Sequence, residues 1–279
     1  MTGMISQYVT VLDRELHYVE WGERGRDVVV MWHGLARTCR DFDDLAGHLA
    51  DRYRVICPDT IGRGLSQWSP EPEQEYSLTF YAALAAALLD ALGIGRLRWV
   101  GTSMGGAIGM KVAGGALRDR ISHLVLNDIG PEVADAAVTR IRSYAGNPPR
   151  FAKVSELEAY FRTIYKPFGH LSDAQWRRLA ETSTRRTEDG KVTPHYDPNM
   201  VMQFELHPED YDQWDDYDRI AAKTLCLRGE SSDLLLPDVA AAITRRGPRC
   251  RLEVIAGCGH APALNVPAQY RLIAGFLAE

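Results

Sequence analysis

The sequence has no apolar run long enough to cross a bilayer. Its longest stretch of small and apolar residues, 82–92, is interrupted by Asp90 and is far shorter than the ~20 residues that a membrane-spanning helix needs. It also lacks a basic cluster, because Lys and Arg are scattered along a chain of net charge -5. Nucleic-acid binding requires a concentrated basic surface. We therefore expect neither a membrane nor a nucleic acid as partner.

Paired cysteines are missing as well. The five cysteines are odd in number and widely spaced, at positions 39, 57, 226, 250 and 258. This spacing predicts neither a disulfide framework nor a zinc site. The first ten residues lack the charged start and apolar run of a secretory signal. We therefore expect reduced thiols in a soluble cytoplasmic protein without a metal, and either a monomer or a homodimer.

What the sequence does contain is an alternation of strand and helix patterns. Apolar runs occur at residues 28–32, 54–57, 97–100 and 123–126, with helical patterns between them at 41–51, 78–92 and 105–117. Nearly continuous apolar runs are typical of strands that are buried on both faces. The alternation predicts an α/β fold, with a mostly parallel sheet flanked by helices. Residues 8–12 and 15–21 predict a hairpin that precedes it.

The pattern changes between residues 131 and 218. This stretch shows no strand pattern, only helical patches, and it holds about half of the aromatic residues of the chain. The strand and helix patterns then resume, with strands at 224–227 and 252–255 and helices at 236–245 and 268–277. We therefore predict a core formed by residues 1–130 and 219–279, and a helical cap, or lid, inserted at 131–218. The cap aromatics can also form a second small core.

The strongest local signal is a serine between glycines. The segment Gly-Thr-Ser-Met-Gly at residues 101–105 directly follows one predicted strand and precedes a predicted helix. A sharp strand-to-helix turn exposes such a serine above the sheet, and small neighbours permit the close backbone approaches. The helix N-terminus also directs unpaired N–H groups toward it. This context predicts that Ser103 is a nucleophile.

A serine hydroxyl needs a base to accept its proton during attack. Among the eight histidines, His260 follows Gly-Cys-Gly in the loop after the predicted strand at 252–255. That position lies at the carboxyl edge of a parallel sheet, where Ser103 is also expected. We predict that His260 is the general base.

Two aspartates compete to orient this histidine. Asp233 follows the predicted strand at 224–227, and Asp128 ends the predicted strand at 123–126. Both are expected at the carboxyl edge, between the serine and the histidine in the chain. Because Asp128 stands where the insertion begins and a structural cap would explain it, we predict that Asp233 is the triad carboxylate and keep Asp128 as the rival.

Backbone N–H groups usually stabilise the oxyanion of acyl transfer. Met104 directly follows the nucleophile, and Leu35 lies in the segment His33-Gly34-Leu35 after the strand at 28–32. We predict that the N–H groups of Leu35 and Met104 form the oxyanion hole. We expect His33 to shape its loop through hydrogen bonds and to transfer no proton.

Substrate contacts are harder to assign. Trp32, beside the oxyanion loop, and Phe161 and Trp214, in the insertion, are candidates to line the pocket. An aromatic-rich lid indicates an acyl or aryl group of moderate size.

Taken together, these motifs resemble the α/β-hydrolase superfamily, in particular its bacterial carboxylesterase-like serine hydrolases with a helical cap. The resemblance covers the chain outside the insertion. It rests on His33-Gly34, the turn from Pro58-Asp59 to Ser66, the Ser103 segment, Arg228-Gly229 with Asp233, and Gly259-His260, in the chain order Ser, Asp, His. It implies a Ser-His-Asp triad without a cofactor, and a structural turn at residues 59–66.

A serine in this turn disfavours the haloalkane dehalogenases and epoxide hydrolases of the superfamily, which use Asp there. The resemblance therefore implies a carboxylesterase that cleaves small to medium esters, its small-molecule substrates, through an acyl-enzyme. A lactonase or a C–C bond hydrolase with the same triad is an alternative, and so is a receptor of the same fold that binds a ligand without turnover.

Overall fold

The apolar runs of the sequence form one eight-stranded sheet, in the order β1-β2-β4-β3-β5-β6-β9-β10. The first two strands pair antiparallel, and the strands from β4 to β10 in this order pair in parallel. The strands are β1 (Ile5–Val11), β2 (Arg14–Trp21), β3 (Val28–Trp32), β4 (Arg54–Pro58), β5 (Leu97–Thr102), β6 (Ile121–Asn127), β7 (Thr184–Arg186), β8 (Val192–Pro194), β9 (Lys223–Gly229) and β10 (Arg251–Ile255). The predicted hairpin and α/β class are confirmed.

The computed structural model describes residues 3–279. Met1 and Thr2, which begin both the segment searched for a secretion signal and the predicted core, lie outside the described residues. The helices are α1 (Asp43–Leu49), α2 (Pro72–Glu75), α3 (Leu78–Ala91), α4 (Met104–Gly114), α5 (Asp135–Ala145), α6 (Val154–Ile164), α7 (Asp173–Thr182), α8 (Gln203–Leu206), α9 (Trp214–Asp218), α10 (Pro237–Ile243) and α11 (Pro267–Leu277). In the part of the chain so described, no helix combines the length and apolarity that crossing a membrane requires.

The buried strand β3 explains the two-layered core. Its alternate residues Val28, Val30 and Trp32 join the apolar cluster on one face of the sheet, which includes much of α3 and α4. Val29 and Met31 join the cluster on the other face, with residues of α1 and α11. A strand covered on both faces needs apolar residues at every position, which is why the run is continuous.

The segment between β6 and β9, residues 131–218, contains helices α5 to α9. Several of its aromatic residues pack with each other in a cluster of their own, centred on Leu157, Phe161 and Trp176. The segment also contains the short hairpin β7-β8, so the expectation that it holds no strand was wrong. Strands of three residues around a turn at Gly190, which has a positive φ, are too short to produce a period-two pattern.

The register of the sheet aligns the strand ends that carry the motifs. Trp32 pairs with Gly101, and Thr102 pairs with Asn127. Asn127 in turn pairs with Leu227 on β9. Residues that directly follow these strands therefore meet at one carboxyl edge of the sheet, where ligands of open parallel sheets bind.

Gly105 is a position where this packing excludes any side chain. A Cβ added there would collide with the carbonyl oxygen of Trp32. We expect Gly105→Ala to lower the free energy of unfolding by at least about 2 kcal/mol, because overpacked backbone must shift. Urea unfolding measures this loss.

Gly95→Ala is the matched control, since its Cβ would meet nothing within 4 Å and its φ is not positive. We expect its unfolding free energy to stay within about 0.5 kcal/mol of the wild type. Equal stability of the two variants would contradict the close approach of β3 to the turn.

Candidate active site

Ser103 lies in a strained turn between β5 and α4. Its backbone has φ 51° and ψ -118°, a left-handed conformation that non-glycine residues adopt at a cost. Its N–H donates to Asn127 O at 2.9 Å, which ties the turn to the end of β6. The turn places Ser103 at the cavity described below.

His260 is in hydrogen-bond contact with this serine. The distance from Ser103 Oγ to His260 Nε2 is 2.9 Å, and the His260 side chain is only 11% exposed. Its loop is fixed from two sides: Asn127 Nδ2 donates to Pro262 O at 2.8 Å, and Gly259 N donates to Pro167 O at 2.7 Å. The structure therefore brings the predicted nucleophile and the predicted base together, and Pro167 brings the insertion into contact with the loop of His260.

Asp128 holds the other ring nitrogen of His260. The distance from Asp128 Oδ2 to His260 Nδ1 is 2.7 Å, and the carboxylate is fully buried. Because a carboxylate only accepts, Nδ1 carries the proton and Nε2 is free to accept the Ser103 proton. Gly229 N and Ser232 Oγ, both at 2.6 Å, also donate to this carboxylate. The rival aspartate of the sequence is therefore the one within reach of the histidine.

The structure does not place Asp233, the predicted triad carboxylate, next to His260. Its side chain is 51% exposed and forms a bidentate ion pair with Arg140, at 2.8 and 2.9 Å. The chain order could not distinguish the two acids. A usable signal was distance from the strand end, since Asp128 directly follows β6, which neighbours the serine strand, whereas Asp233 lies beyond the end of β9.

The loop that begins at His33 is held by hydrogen bonds, as expected. His33 Nδ1 lies 2.7 Å from Gly34 O, and His33 Nε2 accepts from Thr60 N at 2.9 Å. The bond to a carbonyl requires the proton on Nδ1. Gly34 O belongs to the same peptide group as Leu35 N–H, so this bond orients the predicted oxyanion donor. Burial lowers the pKa of His33, which keeps the ring neutral.

Leu35 and Met104 flank Ser103 at this edge. Leu35 lines the cavity together with Gly34 and Ser103. Met104 is the first residue of α4, where a helical N–H has no intrahelical partner. The structure therefore places both residues beside Ser103, and their role as an oxyanion hole stays a prediction.

The cavity over Ser103 and His260 is lined by the core on one side and by the insertion on the other. Its apolar and aromatic wall from the insertion consists of Ile141, Tyr144, Ile164, Tyr165, Phe168, Leu171 and Leu179. Its charged lining consists of Arg37, Arg40, Arg140 and Arg178, with Asp41 and Asp44. An apolar wall combined with polar groups at fixed positions is typical of a small-molecule site.

None of the three predicted contact residues belongs to this lining. Trp32 is 1% exposed, stacks on Trp99 and donates to Thr60 Oγ1, so it is a core residue. Phe161 is likewise buried, within the cluster of the insertion. Trp214 donates to Glu132 and packs under Arg246. The aromatic residues from the insertion that line the cavity are instead Tyr144, Tyr165 and Phe168, and residue type alone could not separate the two sets.

One group of residues has donor atoms close enough for a metal. Within residues 3–279, this group consists of the buried side chains of His17, Cys39 and Asp59. Its atoms already serve each other: Asp59 accepts from His17 Nδ1 at 2.7 Å and from the backbone of Cys39 and Leu65. Burial alone would raise the pKa of Asp59, but the hydrogen bond from His17 brings it below its ordinary value. The group therefore holds the turn at residues 59–66 in place.

Comparison with known proteins gives consistent matches over most of the chain. The family model described as alpha/beta hydrolase fold matches residues 27–265. A 3-hydroxybutyrate-oligomer hydrolase from Cupriavidus necator is 38% identical over 93% of this chain and 91% of its own. A 2-(acetamidomethylene)succinate hydrolase from Mesorhizobium japonicum is 27% identical over 84% and 81%. The crystal structure of an alpha/beta hydrolase from Novosphingobium aromaticivorans superimposes with a TM-score of 0.89 at 34% identity, over 100% and 99% of the two chains.

Replacing Asp128 and replacing Asp233 should have different effects on kcat. We expect Asp128→Asn to lower kcat by up to about 10⁴-fold, because an amide can hold the wrong tautomer of His260. Asp233→Asn is the matched control and should keep kcat within about threefold of the wild type, since it loses only an exposed ion pair. Steady-state hydrolysis of a p-nitrophenyl ester measures both. A larger loss in Asp233→Asn would refute the geometric assignment.

The buried His33 predicts a pH dependence of stability. Its pKa is lower in the folded chain than in the unfolded chain. Its contribution is therefore complete above the unfolded pKa of about 6.5 and is lost as the pH falls below it. Urea unfolding from pH 8 to 5 should show stability falling by up to about 1.4 kcal/mol per pH unit for this group. In His33→Gln the decline should be shallower, and an unchanged slope would contradict the buried neutral ring.

Proposed function

The chain belongs to the α/β-hydrolase family, and from this premise we propose that it cleaves short oligoesters of hydroxyalkanoic acids through an acyl-enzyme on Ser103. The observation that carries the proposal is the hydrogen-bond chain from Ser103 Oγ through His260 to Asp128, at the floor of a cavity. The relative from Cupriavidus necator, a 3-hydroxybutyrate-oligomer hydrolase, supports this substrate class.

In the first step, Ser103 Oγ attacks the ester carbonyl carbon and His260 Nε2 takes its proton. The carbonyl electron pair moves onto oxygen, which the N–H groups of Leu35 and Met104 stabilise. Asp128 balances the imidazolium charge and keeps the ring oriented. When the tetrahedral intermediate collapses, His260 returns the proton to the departing alkoxide, and the alcohol leaves.

In the second step, water replaces the alcohol. His260 removes a proton from the water, and the resulting hydroxide attacks the acyl carbon on Ser103. The second tetrahedral intermediate then releases the carboxylic acid, and Ser103 regains its proton. The buried position of Asp128 supports this cycle, because the acid is held by Gly229 and Ser232 and needs no rearrangement between the steps.

The lining of the cavity favours a substrate that is part apolar and part anionic. A hydroxyalkanoate oligomer carries short alkyl groups along its chain and a carboxylate at one end. The residues Ile141, Phe168 and Leu179 offer contacts for the alkyl groups. The name of the relative from Mesorhizobium japonicum also describes a carboxylic acid substrate, a succinate derivative.

We propose Arg37, one of the four arginines that line the cavity, as the group that meets that carboxylate. Its Nε and Nη2 bind Asp41 at 2.9 and 2.5 Å, whereas Nη1 is buried without a hydrogen-bond partner among residues 3–279. Its Cγ and the Cβ of Ser103 each lie 3.7 Å from the point that a Cβ on Gly34 would occupy. Arg37 Cγ is therefore no more than twice that distance from Ser103 Cβ, which a short substrate can span.

Residues 131–218 serve as the lid over this site in our proposal. They supply most of the apolar wall of the cavity, while Ser103, His260 and the Leu35 loop come from the core. We assign the protein to the cytoplasm, a location supported by its five buried free thiols.

Linear dimers and trimers of 3-hydroxybutyrate test the proposed function. We expect hydrolysis at about 1–10³ s⁻¹, measured by chromatography of the released monomer, and loss of several orders of magnitude in Ser103→Ala. A dimer capped as its methyl ester should show a kcat/KM lower by about tenfold or more, because a hydrogen bond to a charged group is removed.

Three results would contradict parts of this proposal. Equal rates for free and capped dimers would remove the role of Arg37. Rapid cleavage of p-nitrophenyl esters without cleavage of the oligomers would refute the substrate class. If neither is cleaved while a fluorophosphonate still labels Ser103, a lactone, a C–C substrate or a receptor role replaces ester hydrolysis.

A further inference from the structure

Arg63 is a fully buried arginine directly behind the Leu35 loop. It lies in the turn at residues 59–66, and none of its surface is exposed. Its Nε donates to Leu35 O at 2.9 Å, and its Nη1 donates to Ile61 O and Tyr81 Oη, each at 2.8 Å. The guanidinium therefore directs its hydrogen bonds to neutral oxygens.

This cation has no direct counter-charge. No carboxylate of residues 3–279 forms an ion pair with Arg63, whereas the buried Arg37 is paired with Asp41. Burial raises the pKa of Tyr81, so its phenol remains neutral beside the guanidinium. The rings of Tyr76 and Tyr81, with centroids at 5.4 and 5.1 Å, offset part of the desolvation cost.

Asp197 is connected to Arg63 through Tyr76. Tyr76 Oη donates to Asp197 Oδ2 at 2.6 Å, so the carboxylate faces the hydroxyl of Tyr76, whose ring lies by Arg63. Burying a charge without a direct ion pair lowers the stability of the fold. A neutral side chain could bridge Leu35 O and Tyr81 without this loss, so the charge itself calls for an explanation.

The contacts of Arg63 reach both residues of the proposed oxyanion hole. It holds the carbonyl of Leu35, while His33 holds the carbonyl of Gly34. The peptide groups before and after Leu35 Cα are thus both fixed. In addition, Arg63 Nη2 lies 3.5 Å from Met104 Sδ. A single cation therefore contacts the two residues whose N–H groups would meet the oxyanion.

We propose that Arg63 is a positioning residue for the oxyanion hole, which fixes Leu35 and places a buried positive charge behind the developing negative charge. This inference rests on the proposed attack by Ser103. A fixed charge in a dry environment needs no reorganisation during the reaction, so it stabilises the transition state more than the neutral ester. Its loss should lower kcat and leave KM nearly unchanged.

The test compares Arg63→Met, which keeps an unbranched apolar stem without the charge, with Arg63→Lys, which keeps the charge. Each variant is first checked for folding by circular dichroism and thermal melting. We expect kcat to fall about 100-fold in Arg63→Met, near the lower bound for losing one oxyanion donor, and about tenfold in Arg63→Lys, with KM within threefold in both. The affinity for a trifluoromethyl ketone, which adds reversibly to the serine as a tetrahedral alkoxide, should fall by the same factors.

Arg54→Met is the matched control. Arg54 begins β4 at the opposite end of the strand from the site, is nearly buried, and pairs with Glu20 at 2.7 Å. We expect this variant to lose stability and to retain the kcat and the ketone affinity of the wild type.

The role of Arg63 is refuted if folded Arg63→Met keeps the wild-type kcat or ketone affinity, or if only KM changes. Should Arg63→Met fail to fold, wild-type kcat and ketone affinity in Arg63→Lys refute it instead. The rate at which a fluorophosphonate labels Ser103 distinguishes a wrong role for Arg63 from a wrong proposed function, because this labelling needs no ester turnover. Rapid labelling of the wild type without ester cleavage would count against the substrate, whereas equal labelling of the wild type and Arg63→Met would count against Arg63.

Discussion

The parallel register of β3, β5 and β6 is the constraint on which the whole site depends. Because Trp32 pairs with Gly101 and Thr102 with Asn127, the residues that follow these strands arrive together at one edge. A slip of one residue would reverse which face each side chain occupies. It would also separate Ser103 N from Asn127 O, the bond that ties the serine turn to β6. The alternating core contacts of β3 therefore determine the position of the chemistry.

The strain at Ser103 is sustained by backbone packing that side chains would prevent. A Cβ at Gly101 would collide with the backbone of Gly105, and a Cβ at Gly105 with that of Trp32. These contacts bring α4 against the strand ends and orient its first N–H groups toward the edge. The unfavourable φ of Ser103 is thus maintained by many surrounding contacts, as expected for a functional turn.

The fold and the pairing of Ser103 with His260 could be predicted from local patterns. Ser103 and His260 are each marked by glycines beside a strand end, and this signal is contained in a few consecutive residues. The chain order does not separate Asp128 from Asp233. The choice needs the distance of each acid from its strand end, together with the sheet order that places β6 beside β5. The same reason explains the failure with Phe161 and Trp214: whether an aromatic residue faces the cavity or the cluster of the insertion depends on helix orientation.

Two consecutive residues of the loop after β9 connect the site with the insertion. Ser232 donates to the carboxylate of Asp128, and Asp233 pairs with Arg140 on α5, which lines the cavity. The buried bond is shielded from solvent, whereas the exposed pair is weak and screened by salt. A shift of α5 would therefore break the Asp233 contact before it disturbed Asp128. In the proposed mechanism, this order of strengths would let the wall of the cavity adjust to a substrate while Asp128, His260 and Ser103 stay aligned.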